Sequence, residues 1–189
     1  MNVDRLALNL RYLLWRREEP REGWVRALHA QVPRWPIERV RVVLSDGTQN
    51  YGELQDLAEA FGITEEELTH ADLVAESGVD VLLENLRYLA ETLARGGKAE
   101  LAEFLGRDAT TISRWLRGNS RPPAVTIKQI SRFFGLPADT DLTEEAVFLS
   151  MDPISITGRR EWLHEHVDLL RPEEIAELFP ALRRLLRGD

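Results

Sequence analysis

The chain has 189 residues, with 24 basic against 32 acidic side chains, a formal net charge of −8 and a pI near 5.1. That length fits one ordinary domain or two small ones; 43% hydrophobic and 30% charged residues exclude a disordered polymer, and the absence of a long apolar run excludes a membrane-spanning helix. With no cysteine, a disulfide framework, a thiol nucleophile and a Cys-based zinc site are all excluded, in keeping with a reducing cytoplasm.

The opening stretch MNVDRLALNLRYLLWRR has no basic start, and Arg11 interrupts its apolar run, so no signal peptide is expected. Trp24 to Val32 and Pro36 to Leu44 read as helices, Pro36 being tolerated in a first helical turn. Val40 to Leu44 is the one stretch where a strand competes. Next comes an acidic run: residues 48 to 86 hold ten acids and no Lys or Arg, which reads as a solvated helical face.

Leu82, Leu86, Leu89 and Leu93 lie on one face of a helix expected over Val81 to Ala94 and ended by Gly96-Gly97. A short helix is expected from Lys98 to Leu105, with Leu101, Ala102 and Leu105 inward. After a turn at Gly106-Arg107, Asp108 suits the N-cap of a helix over Ala109 to Leu116. Gly118-Asn119 closes that helix, Pro122-Pro123 prevents its continuation, and Thr126 to Phe134 forms the next one. Charge reverses here: residues 106 to 132 carry Arg107, Arg114, Arg117, Arg121, Lys128 and Arg132 against Asp108 alone. Screening over about 8 Å makes a face feel its local charge, so the chain's overall acidity does not exclude an anionic partner. The tail offers helices over Arg159 to Leu170 and from Pro172 onward. The second has Ile175, Leu178, Phe179, Leu182, Leu185 and Leu186 as its stripe, and Arg183, Arg184 and Arg187 near its end.

The chain also repeats itself. NLRYL stands at residues 9 to 13 and again at 85 to 89; LQDLAEAFGITEEELTHADLV (54 to 74) parallels IKQISRFFGLPADTDLTEEAVF (127 to 148), with Phe61-Gly62 matching Phe134-Gly135. Two blocks in the same order at nearly the same offset indicate duplication.

KAELAEFLGRDATTISRWLRG, Lys98 to Gly118, resembles the helix-turn-helix of the lambda-repressor-like family, also called the Xre or Cro type. The likeness rests on Leu101-Ala102, Gly106, Thr110-Thr111-Ile112-Ser113, Trp115 and Gly118 with the prolines that follow. It covers residues 81 to 149, and 5 to 74 through the repeat. What it implies is an all-α fold: two tandem helix-turn-helix bundles, residues 1–78 (a degenerate copy) and 79–150, followed by a C-terminal helical hairpin at 151–189. It further implies a sequence-specific regulator of transcription, a repressor, whose partner is double-stranded DNA. Thr110, Thr111, Ser113, Arg114 and Arg117 would stand on the recognition helix, and Lys98, Arg121 and Lys128 at phosphates. In the first copy Trp24 to Val32 and Pro36 to Leu44 align with the two motif helices, but the connection is longer and has no glycine. That copy either touches DNA through Arg34, Arg39 and Arg41 or serves as a partner that orients the second. The hairpin either caps the second copy or forms a homodimer through residues 159–187.

Other chemistry finds no support. His164 and His166 diverge by about 200° on a helix and do not chelate one metal. Gly96-Gly97-Lys98 lacks the spacing and the Ser or Thr of a phosphate loop, and there is no Gly-x-Ser-x-Gly. An enzyme, a cofactor and a small-molecule ligand are therefore not expected. The alternative is a protein-interaction module on the same duplicated fold, using its acidic face to hold a basic partner.

Overall fold

The computed structural model describes residues 5–154, 156–167 and 170–187, with backbone alone at 156–158, 161, 165, 166 and 185–187. All regular structure among the described residues is helical: α1 Arg5–Arg16, α2 Trp24–Gln31, α3 Ile37–Asp46, α4 Tyr51–Phe61, α5 Glu65–His70, α6 Leu73–Glu76, α7 Val81–Glu91, α8 Gly97–Phe104, α9 Ala109–Leu116, α10 Ala124–Phe133, α11 Ile156–Val167 and α12 Pro172–Arg187. Short 3₁₀ turns occur at Arg21–Gly23 and Val147–Leu149. The chain separates into two compact units, Met1–Met151 and Asp152–Asp189.

Caps set many of the helix boundaries. Asn50, Thr64, Asp72, Asp80 and Asp108 each accept a backbone N–H from the first turn of the helix that follows, and Thr64 with Glu67 forms a reciprocal capping box. At the other ends, Ile63 donates to Ala58, Arg107 to Ala102, Asn119 to Arg114 and Leu136 to Ser131, the bond that closes a helix when the residue between is left-handed. Val40 to Leu44 is helical, inside α3, because Val40, Val43 and Leu44 are buried along one side. The helix expected over Val81 to Ala94 ends earlier, at Glu91. The Thr92 hydroxyl donates to the Leu89 carbonyl at 2.8 Å and draws the chain out of the helix. Gly96-Gly97 does not end that helix but opens α8: a Cβ at Gly97 would lie 3.0 Å from the Leu93 Cβ, a tight approach that favours glycine.

In the first unit, α1 supplies Leu6, Leu10 and Leu14 to a core completed by Trp24, Leu28, Val40, Val43, Leu44, Leu57 and Leu68. Phe148 and Leu149 belong to the same core, although they lie more than a hundred residues from α1 in sequence. Phe148 meets the edge of the Trp15 ring at 5.0 Å between centroids. Arg21 holds the same segment: its guanidinium donates to the carbonyls of Phe148 and Ser150 and, at 2.7 Å, to the Tyr88 hydroxyl. It lies 3.8 Å from the centroid of the Tyr88 ring.

Two buried asparagines occupy matching places. Asn9 on α1 donates its amide to the carbonyls of Leu68 and Ala71, each at 2.9 Å. Asn85 on α7 donates to those of Leu142 at 2.9 Å and Glu145 at 2.7 Å, and its Oδ1 accepts from the Phe148 N–H at 2.9 Å. Neither side chain reaches solvent, so each amide depends on these carbonyls for its partners.

The second unit consists of α11 and α12, with Pro180 inside α12. Ile175, Leu178, Phe179 and Leu182 are exposed, as are Trp162, Leu163 and Val167 on α11. The side chains of His166, Leu185, Leu186 and Arg187 lie outside the described residues, as do residues 1–4 of the opening stretch.

Asn85→Ala leaves the buried Leu142 carbonyl and Phe148 N–H and the part-buried Glu145 carbonyl without their partner, and is expected to cost about 3 kcal/mol. Asn9→Ala is expected to cost less, because the Asn9 Oδ1 accepts no bond. Urea unfolding of the two variants beside the parent measures both differences.

Candidate nucleic-acid interface

The segment from α8 to α9 is built from the inside outward. Leu101 and Ala102 are buried on α8, Leu105 just past its end, and Ile112 and Trp115 on α9. Leu101, Ile112 and Trp115 line one apolar interior with Leu86, Leu89, Ala90, Ile130 and Phe134. Burying Ile112 alone stabilises this seat by about 1.5–3 kcal/mol. Gly106 makes the turn between the helices with φ +60°, a left-handed backbone that residues with a Cβ rarely adopt.

Asp108 then starts α9. Its carboxylate accepts the Thr111 N–H at 2.7 Å and the Thr111 hydroxyl at 3.0 Å. These donors, the backbone N–H first, hold the carboxyl below its usual range. At the far end Arg87 of α7 donates from Nε to the Leu116 carbonyl at 3.1 Å while pairing with Glu84 at 2.6 Å. A guanidinium at the negative end of α9 is favourable. Arg87 was not identified by sequence reasoning: a surface arginine three residues from a glutamate gives no sign that it reaches across to another helix.

Anchored in this way, α9 presents Ala109, Thr110, Ser113 and Arg114 to solvent, with Arg117 just beyond its last turn. Among the described residues no acid pairs with Arg114 or Arg117, and none pairs with Lys98 on the first turn of α8. Thr111 differs: it is half-buried, and its hydroxyl is engaged by Asp108. Arg121 is exposed but pairs at 2.7 Å with Asp80, the N-cap of α7. Lys128 is exposed, and its charge helps to hold the Asp141 carboxyl below its usual range, after the bonds from Thr143.

Arg34, Arg39 and Arg41 of the first half are each paired with an acid. Arg39 makes a two-pronged contact with Glu53, Nε at 2.8 Å and NH2 at 2.7 Å, and also donates to the Thr48 hydroxyl at 3.0 Å. Chief among the causes, the bond from Arg39 holds the Glu53 carboxyl below its usual range. Arg34 lies 3.6 Å from Asp56, and Arg41 lies 3.5 Å from Glu38. The acidic run thus contributes Glu53 and Asp56 to pairs with the first-half arginines.

A helix-turn-helix family model of the lambda-repressor-like type matches residues 86–140, from α7 to just past α10. No curated protein and no solved structure matches the chain. The family match supports a DNA-binding regulator of the helix-turn-helix kind. No helix among the described residues is long and apolar enough to cross a membrane.

The Asp108 cap carries a pH dependence of definite sign. A carboxyl whose folded value lies below its unfolded one stabilises the fold fully above the unfolded range, about pH 4, and loses that contribution as pH falls through the folded value. Amide exchange at Thr111 is therefore expected to be slow at neutral pH and to speed up under acid relative to the intrinsic rate. In Asp108→Ala it is expected to be fast throughout; NMR-detected exchange reads both.

Proposed function

We propose that the chain is a sequence-specific double-stranded-DNA-binding regulator of transcription, acting as a repressor, with α9 as the helix that enters the major groove. The observation that carries this reading is the face of α9. Thr110, Ser113, Arg114 and Arg117 stand exposed together, with no acid among the described residues paired to either arginine, on a helix fixed by Ile112, Trp115 and the Asp108 cap. Arg114 and Arg117 are suited to two-pronged bonds to guanine edges, and the hydroxyls of Thr110 and Ser113 to shorter contacts with base or phosphate. Thr111 acts through the cap, holding the first turn in shape. Lys98, Arg121 and Lys128 serve the phosphates. An exposed pair such as Arg121–Asp80 contributes about 0–1 kcal/mol, little enough for a phosphate to draw the guanidinium away. A cytoplasmic location accords with this reading, which requires only hydrogen bonds and charge, with no covalent step.

The duplication enters here as an explanation of the first half. Residues 1–78 and 79–150 read as two copies of one helix-turn-helix bundle, and the matching buried contacts of Asn9 and Asn85 support that reading. Setting Val40 against Ile112 and Val43 against Trp115, all buried, places Glu38, Val42 and Ser45 where the second copy has Thr110, Arg114 and Arg117. An acid and an apolar side chain there, with Arg34, Arg39 and Arg41 already paired, suit a copy that orients its neighbour instead of reading DNA. One reading helix per chain then calls for a second chain to cover a palindromic site, and the tail, residues 159–187, is the segment proposed to supply that contact.

Three substitutions test the reading by titration against a selected genomic site and against random DNA at several salt concentrations. Arg114→Ala is expected to cost about 1–3 kcal/mol at the selected site and little on random DNA. Lys128→Ala weakens both and lowers the salt slope by about one. Arg39→Ala leaves DNA affinity unchanged while lowering thermal stability. If the purified chain retards no genomic fragment at low salt, the DNA reading falls and the interaction module takes its place.

A further inference from the structure

One side of α7 is given over to the chain that leaves α9. Asp80, the N-cap, then Leu83 and Arg87 follow at steps of three and four residues, so they lie along one face, with Glu84 beside them. Each of the three meets the segment after α9 at a different point. Arg87 donates to the Leu116 carbonyl at 3.1 Å. A Leu83 methyl lies 3.1 Å from where a Cβ on Gly118 would stand. Asp80 accepts from Arg121 at 2.7 Å. The contacts run in opposite order along the two segments, 87, 83 and 80 against 116, 118 and 121, so α7 lies along the exit of α9 like a rail.

The last carbonyls of α9 need acceptable donors. Those of Ser113, Arg114 and Trp115 accept the backbone N–H groups of Arg117, Asn119 and Gly118, and that of Leu116 accepts from the Arg87 Nε. The Leu116 C=O and the Arg117 N–H belong to one planar peptide unit. Holding the carbonyl therefore fixes the plane from which the Arg117 Cα, and with it the side chain, departs. Arg114 is placed by other means: it stands between Ile112 and Trp115, both buried, and the seat of α9 sets its direction. Arg117 lies past the last helical residue and takes its direction from the exit.

We propose that Arg87 is a positioning residue for Arg117. Through the Leu116–Arg117 peptide it aims the second of the two arginines that face guanine. A guanidinium suits this task, because Nε reaches the carbonyl while NH1 pairs with Glu84 at 2.6 Å, two bonds in different directions from one rigid plane. A lysine would bring charge to the negative end of α9 without that fork. This role deepens the reading of α9 as the groove helix and rests on it.

Double-mutant cycles in the full chain test it, read as affinity for the selected genomic site and for random DNA. Arg87→Ala is expected to weaken the selected site about tenfold, the scale of one base contact set out of line, and random DNA less than about twofold. In an Arg117→Ala background the same change is expected to cost less than about twofold further, and in an Arg114→Ala background the full loss of about tenfold. Arg87→Lys is expected to melt with the parent yet to bind the selected site as weakly as Arg87→Ala. In the DNA-free protein, amide exchange at Gly118 and Asn119 is expected to speed up about tenfold in Arg87→Ala, with Thr111 at the other end of α9 unchanged. Equal losses on selected and random DNA, an undiminished loss in the Arg117→Ala background, or full affinity in Arg87→Lys would each overturn the role and leave DNA binding by α9 standing. Unchanged exchange at Gly118 and Asn119 would overturn it whether or not DNA binds. A chain that retards no fragment removes the DNA reading and this role together.

Discussion

One buried amide, that of Asn85, governs how the first unit is assembled. A side chain with no access to water spends both donors on the carbonyls of Leu142 and Glu145 and its acceptor on the Phe148 N–H. These bonds turn the segment after α10 back along α7. The turn delivers Phe148 and Leu149 to the core around α1. Arg21 grips the same segment from the other side, through the carbonyls of Phe148 and Ser150. Burial holds the Arg21 guanidinium below its usual pKa, and the neighbouring Tyr88 acts in the opposite sense. A short stretch of irregular backbone is thus held from two sides by polar groups buried where an unmade hydrogen bond would be costly.

A separate apolar interior seats α9. Leu86, Leu89 and Ala90 of α7 line it with Ile112 and Trp115, and Asn85 on the same helix holds the segment after α10. Rigidity here has a direct bearing on recognition, because two-pronged bonds to base edges tolerate little misplacement. The cap at Asp108 and the Arg87 bond to Leu116 fix the two ends of a helix of eight residues, too short to be stable by its own hydrogen bonds.

Electrostatics is settled pair by pair. Net acidity says little about the α9 face, since the acids of residues 48 to 86 are spent in part on Arg39, Arg34, Arg121 and the helix caps. Two stretches with similar numbers of arginines therefore differ in character. Arg34, Arg39 and Arg41 are paired with neighbouring acids, whereas Arg114 and Arg117 stand without one among the described residues.

Much of this was legible in the chain because it depends on neighbours in sequence. Helical periodicity located α8 and α9, with the α9 limits as expected, and the Asp108 cap and the Gly106 turn follow from residues at fixed short spacing. The burial of Ile112 and Trp115 follows from the same spacing. Only the tertiary structure revealed the bonds of Asn9 and Asn85, the grip of Arg21, the reach of Arg87, and which arginines are already paired. Each of those joins residues brought together by folding, and a side chain's partners across space leave no periodic mark along the chain.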